Sequence, residues 1–305
     1  MAANAPRPWY APMLAQRGPE EDEVPATSSR IPTGVPDFDY LTGGLPAGSV
    51  VLLVGEAGSG HQEFALTSAV HLMLRYDDPR MHRFYLGSAR GPFRYPKQVV
   101  YVSASRSKPQ LLREIASTFD ANYAKTLERH LTFHDLSPSY FRDSVVPSSW
   151  ASLGGSVLSG ISAERPAEGG PLAGIAEAVE QDGRSNLVIV DSLTDLLVRR
   201  GVEASDLLTL VKGLRRRAKE LDGLVYLLLS RGVNPPATEQ ALYDSVDGVL
   251  SFSWTTNPLH SHRQRTMLIE KFMPVLSRMS REHQGRFVIQ VSAVGGLVTT
   301  QYERI

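Results

Sequence analysis

The stretch Val50–Gln62 reads VVLLVGEAGSGHQ, an apolar run that breaks into glycine at Gly55, Gly58 and Gly60. Chemistry suited to such a loop is phosphate binding. Glycines let successive backbone N–H groups turn inward as a nest, and a following helix adds its positive end. Gly55 and Gly60 keep the spacing of the phosphate-loop pattern G-x-x-x-x-G-K-[ST]. His61 then stands where that pattern has lysine, and Gln62 where it has the Mg²⁺-binding hydroxyl. A histidine is mostly neutral near pH 7, and an amide is a poor substitute for a hydroxyl on Mg²⁺. The cradle of Gly55, Glu56, Ala57, Gly58, Ser59 and Gly60 is therefore present without its two chemical side chains. The same glycines would also serve a plain turn from strand to helix, and the loop alone does not choose.

A second candidate lies far downstream. Leu187–Asp191, LVIVD, is an apolar run ending in an acid. Ligands gather at the carboxyl ends of strands in open α/β sheets, and an acid there holds the water shell of a Mg²⁺ ion. Alone, such an aspartate is more often the cap of the next segment. Downstream of a glycine loop, the pair is informative. Asp191 is the one metal ligand expected, and Gln62 argues against a metal at all. The eight histidines show no metal spacing; His260 and His262 form only a local pair.

The elements that must carry these residues follow from their apolar patterns. Val50–Val54, Leu187–Val190 and Leu224–Leu229 lack alternation, so all three are expected as buried parallel strands of one sheet. Glu63–Arg75 reads as an amphipathic helix, Pro109–Phe119 and Ala173–Gln181 as helices, and Leu207–Leu221 as a helix with one apolar stripe. Val99–Ser103 and Leu131–His134 read as further strands. Asp77–Gln98 reads as a polar surface insertion, and 143–170 as a long mobile loop. Strands gather at the end, at Gly248–Phe252, Thr266–Lys271, Phe287–Val291 and Leu297–Thr300, the last two as a hairpin. The order implies an α/β fold with a mainly parallel sheet, flanking helices and antiparallel C-terminal strands. Residues 1–30, rich in Pro and Ala, are expected as a flexible tail, and 31–305 as one domain.

Composition narrows the function classes. Lys+Arg and Asp+Glu are both 32 in 305 residues, so no bulk charge draws nucleic acid or membrane. No cysteine is present, which excludes disulfides and thiolate chemistry and suits a cytoplasmic setting. The apolar runs are too short to span a bilayer. Lys212, Arg215, Arg216, Arg217 and Lys219 cluster on one helix, a run that more often is a solvated face than a docking surface.

IPTGVPDFDYLTGGLPAGSVVLLVGEAGSG resembles the opening of the KaiC/RadA branch of RecA-like P-loop ATPases, and NLVIVDSLTDLL its Walker B segment. VDGVLSF and RTMLIEKF are similar to its late strands. HDLSPSYF, VIVDSLTDLL, VKGL and VLSRM resemble the archaeal HTR-like, KaiC-type proteins. The resemblance runs from Ile31 to Thr300. It implies a RecA-like fold, a nucleotide at Gly55–Gln62, Asp191 as the Walker B acid and Ser230 as the polar sensor. It also implies Lys271 as one half of a Lys-x-Arg pair reaching a neighbour's nucleotide.

The departures matter as much. Ser105 and Arg106 stand where that branch has its water-polarising glutamates, and Met273 replaces the arginine two residues after Lys271. Each loss ordinarily costs orders of magnitude in rate. The sequence therefore points to a catalytically degenerate ATPase-fold protein, a nucleotide-sensing or regulatory scaffold in signalling. ATP would bind weakly, with little help from Mg²⁺, and better on acidification as His61 gains charge. His61, Arg106 and Lys271 together would make a cationic pocket, an alternative phosphate site, or are three unrelated surface residues. The alternatives are a slow ATPase using substitute residues such as Arg106 and Lys271, and a RadA-like DNA-binding paralogue. The latter is disfavoured by the few basic residues in Asp195–Asp206. A protein partner or self-association is expected; nucleic acid and membrane insertion are not.

Overall fold

Runs of Val, Leu and Ile without polar alternation are stable only where both faces of a sheet are covered, and the chain places them there. The computed structural model describes residues 29–303 except 88, 90, 143, 148–149, 151–169, 257–262 and 280–284. The expected tail up to residue 28, most of the expected 143–170 loop and the His260/His262 pair lie outside the described residues.

The lead forms a small ribbon of β1 (Arg30–Ile31) and β2 (Leu45–Pro46) around α1 (Pro36–Thr42). β3 (Ser49–Gly55) enters the main sheet, α2 (His61–Asp77) leaves it, and α3 (Pro79–Leu86) folds back on α2 before β4 (Val99–Ser103). α4 (Lys108–Thr118) and α5 (Ala121–His130) lead to β5 (Leu131–Asp135) and the single turn α6 (Ser137–Tyr140). Next come α7 (Gly170–Asp182), β6 (Leu187–Asp191), α8 (Leu193–Val198), α9 (Ala204–Leu221), β7 (Leu224–Ser230) and α10 (Pro236–Ser245). β8 (Gly248–Thr256), β9 (Arg263–Lys271), the short α11 (Met273–Leu276), β10 (Arg286–Ser292) and β11 (Gly296–Glu303) close the chain.

The main sheet has the order β11-β10-β9-β8-β3-β7-β6-β4-β5. From β8 to β5 every pairing is parallel; β8–β9, β9–β10 and β10–β11 are antiparallel. The three expected central strands are β3, β7 and β6, side by side and wholly inside the sheet. Successive side chains of β3 serve opposite layers. Val51 and Leu53 join the core around α2, whereas Val50, Leu52 and Val54 join the core around α9.

Two expectations fail, for one reason. The helix expected to be amphipathic is buried at every position from Phe64 to Leu74. The segment expected to be a polar insertion carries α3, with His82 and Tyr85 buried. α3, α5 and β11 cover the outer side of α2, so that side never meets solvent. His71 illustrates the arrangement: it stacks on Tyr85 at 3.9 Å and meets the Tyr123 hydroxyl at 2.6 Å. Burying each large apolar side chain here contributes about 1.5–3 kcal/mol.

The lead is tied down by side-chain hydrogen bonds to the backbone. Asp39 accepts from Thr33 N, Thr33 Oγ1 and Gly34 N at 2.7–2.8 Å. Arg30, assigned to the tail on composition, belongs to the body. Its guanidinium donates to the carbonyls of Thr42, Gly43 and Gly44 and so closes the end of α1.

Candidate nucleotide site

The glycine loop joins β3 to α2 at the carboxyl edge of the parallel strands. Gly58 has φ +70° and Gly60 φ +114°, conformations that an L side chain rarely adopts. A Cβ on Gly60 would also lie 3.1 Å from Ile289 Cδ1 and 3.3 Å from Leu297 Cδ1, so β10 and β11 back the loop closely. Ser59 N donates to Glu56 O, and Glu56 N to Phe252 O on β8. The amides of Ala57, Gly58 and Gly60 meet no protein acceptor among the described residues. The loop is thus a preformed nest of donors.

His61 folds back over the end of β3. Its Nδ1 and Ser59 Oγ lie 2.5 and 2.6 Å from where a Gly55 Cβ would stand, and both are buried without a partner. Burial holds the imidazole below its ordinary pKa, against the opposing pull of Glu63 and Asp191. The ring is therefore neutral near pH 7, as a histidine mostly is, and burial moves its gain of charge to lower pH.

Asp191 ends β6 and is 7% exposed. The Tyr101 hydroxyl donates to its Oδ2 at 2.5 Å, and the Arg106 guanidinium makes a close ion pair with the same oxygen. Arg106 also donates to Glu114 at 2.7 Å. With the Gln62 amide turned so that its oxygen faces Arg106, that oxygen accepts from both terminal guanidinium nitrogens at 2.6 and 2.7 Å. Burial works against the Arg106 charge, but Tyr101, Asp191 and Glu114 outweigh it and raise its pKa above the ordinary value. Burial, followed by the Asp191 charge, raises the Tyr101 phenol well above 10.

The residue at the expected glutamate position therefore sits on the residue at the Walker B position, and the residue at the hydroxyl position completes its shell. A Mg²⁺ ion bound through Asp191 would have to displace a guanidinium held by two carboxylates and an amide. The donor set does not fit a metal, and among the described residues no other group of three His, Asp or Glu does.

The remaining candidates separate. Ser230 lies beside Gly55 in register, its amide donating to Thr194 Oγ1 at 2.7 Å, so it stands next to the loop. Ser105 turns away and donates to Asp195 at 2.9 Å. Lys271 does not join His61 and Arg106. Its ammonium donates to the carbonyls of Tyr243, Asp244 and Val246 at 2.8–3.1 Å, closing the end of α10. The proposed three-cation pocket is thus not assembled. Met273 is 75% exposed. Lys271→Met is expected to cost about 1–3 kcal/mol in urea unfolding and to leave ligand binding unchanged. Unchanged stability with lost binding would return Lys271 to the site.

The basic cluster on α9 is largely paired on the surface. Arg215 and Lys219 pair with Asp247, and Arg217 with Glu180 and Glu220. Sequence reasoning missed Tyr101, Glu114, Trp254 and Arg265. Tyr101 carried one signal, a hydroxyl inside an otherwise apolar strand. Trp254 Nε1 donates to Ala57 O at 3.1 Å and Arg265 Nε to Gly58 O at 2.8 Å, strapping the loop from outside.

A parallel core with a glycine loop and an acid at its carboxyl edge, extended by antiparallel strands, is the RecA-like P-loop fold. Two of the solved structures that share it are a KaiC-like protein and a flagellar accessory protein. A KaiC-like protein of the hyperthermophilic archaeon Pyrococcus horikoshii OT3 superimposes with a TM-score of 0.57 at 18% identity, covering 90% of this chain and 100% of that one. The flagellar accessory protein FlaH of Methanocaldococcus jannaschii superimposes with a TM-score of 0.56 at 17% identity, covering 90% and 99%. No protein-family model and no curated protein matches the sequence. Among the described residues no helix is long and apolar enough to cross a membrane.

Proposed function

We propose that this chain is a RecA/KaiC-type domain that does not turn over ATP and serves as a nucleotide-responsive or regulatory scaffold for a protein partner or for copies of itself. The observation that carries the reading is the Arg106 guanidinium seated between Asp191 and Gln62. Phosphoryl transfer in this fold rests on a metal at the Walker B acid, a cation on the outer phosphates and a group that orients water. Here the acid is neutralised from within the chain, His61 is neutral, and the water-orienting position holds a guanidinium, which cannot act as a base.

The slow-ATPase alternative loses its substitute residues. Arg106 is committed to Asp191 and Glu114, and Lys271 to three carbonyls. The DNA-handling alternative has only Arg199 and Arg200 as basic residues in Asp195–Asp206. Arg199 instead donates to the carbonyls of Ser139, Tyr140, Arg142 and Arg200. Likeness to an accessory protein suits a scaffold role.

Purified protein with Mg²⁺ and ATP is expected to release no phosphate above background. Steady hydrolysis that Asp191→Asn abolishes would overturn the reading.

A further inference from the structure

We propose that Trp254, Arg263 and Arg265 extend the glycine loop into a site that holds a phosphate-bearing ligand without a metal ion. This rests on the reading above that the metal seat is closed. Two sets of atoms meet at the loop. On the inner side, the Ala57, Gly58 and Gly60 amides lack protein acceptors among the described residues. Ser59, 0% exposed, turns an unpartnered hydroxyl to the space over Gly55, beside the unpartnered Nδ1 of His61. A buried hydroxyl left unpaired is costly, and an acceptor-rich ligand removes that cost.

On the outer side, the bonds from Trp254 Nε1 and Arg265 Nε hold the Ala57 and Gly58 carbonyls outward. That keeps the neighbouring amides turned in. The Arg265 and Arg263 guanidiniums lie 4.6 and 4.8 Å from the centroid of the Trp254 ring. Stacking on an aromatic face orients a guanidinium while leaving its edge donors available. Among the described residues neither arginine pairs with a carboxylate, and no residue accepts from the terminal nitrogens of Arg265.

The charge balance explains why these two arginines matter. Glu56 lies in the loop and Glu63 in the first turn of α2, and both oppose an anion. Arg106 and Lys271 are spent elsewhere. Arg263 and Arg265 supply the positive charge that the loop's own lysine position lacks. A guanidinium recognises phosphate by paired N–H donors and keeps its charge at any physiological pH. The ligand class is a phosphoanhydride, which a free nucleotide or an inorganic polyphosphate would supply.

The test is calorimetry on the full chain in EDTA with inorganic tripolyphosphate and with ATP. Both are expected to bind, unaffected by added Mg²⁺. Arg263→Gln and Arg265→Gln are each expected to weaken binding by about tenfold or more. Arg263→Gln touches no atom of the loop in this structure, so it separates charge from loop geometry; an unchanged thermal midpoint confirms its fold. ATP binding more tightly than tripolyphosphate supports the site with a nucleotide as ligand, and equal affinity supports it with the phosphate chain alone. No binding in EDTA, or binding indifferent to both substitutions, overturns it. Tight binding only with Mg²⁺, lost in Asp191→Asn, would instead sink the closed-metal-seat reading and this proposal with it. No binding with or without Mg²⁺ sinks the rim site alone.

Discussion

Arg106→Ala is expected to lower stability at pH 7 by about 3 kcal/mol in urea unfolding and to make that stability depend on Mg²⁺. In the wild type the guanidinium neutralises Asp191, whose side chain is 9% exposed. Removing it leaves a buried carboxylate with the Tyr101 hydroxyl as its one side-chain donor among the described residues. Breaking a buried pair from one side costs about 3–5 kcal/mol; the 24% exposure of the Arg106 side chain places this case at the low end. Mg²⁺ then has a vacated acid to bind, and ligation stabilises the folded form by mass action. The wild type should show no such response. If the variant is as stable as the wild type, or if Mg²⁺ stabilises both equally, Arg106 is not the internal counter-ion of Asp191.

Acid is expected to destabilise the wild type through His71 by about 3 kcal/mol between pH 6.5 and pH 4. His71 is 1% exposed. Its Nδ1 lies 2.7 Å from Gly34 O, a pure acceptor, so Nδ1 carries the proton and Nε2 accepts from the Tyr123 hydroxyl. That pattern satisfies both nitrogens of the neutral ring. Burial lowers its pKa to about 4, against the raising effect of the Gly34 carbonyl. Unfolded, the ring protonates near pH 6.5. The stabilising contribution is complete above pH 6.5 and is lost as pH falls through 4. Asp39 works oppositely over much of the same window, since burial raises its carboxyl to about 7, so its contribution is lost as pH rises. The measurement is therefore a difference. The stability gap between wild type and His71→Gln should shrink by about 3 kcal/mol from pH 7 to pH 4. A gap independent of pH would show that His71 is not held neutral by its surroundings.

Much of the sheet was legible before any coordinate. Unalternating runs at Val50–Val54, Leu187–Val190 and Leu224–Leu229 have one stable place, between two layers of helix, and β3, β6 and β7 stand there. The glycine loop and the acid at the end of β6 were legible for the same reason, since both follow directly on such runs. α2 and α3 were misjudged because periodicity reports a helix that has one wet side. α2 has none, and α3 hides His82 and Tyr85, which read as polar and aromatic surface until their partners are known. Short helices such as α8 and α10 span too few turns for a periodic signal, and packing rather than propensity maintains them.

The sequence by itself determined the fold class and the glycine loop, both carried by local pattern and spacing. The departures at Ser105, Arg106 and Met273 were legible only beside the family the chain resembles. Only the tertiary structure decided what stands against Asp191. Arg106 and Asp191 lie far apart in the chain, yet β4 and β6 pair in parallel with Ser103 opposite Asp191, and that register brings the guanidinium onto the acid. β8 and β9 bring Trp254 and Arg265 onto a loop formed some two hundred residues earlier. Lys271 was assigned to the site by its place in a motif, and the fold spends it on the end of a helix. Side-chain charge can be read from a chain, but its partner is set by strand register and layer packing, which bring together residues that share no local pattern.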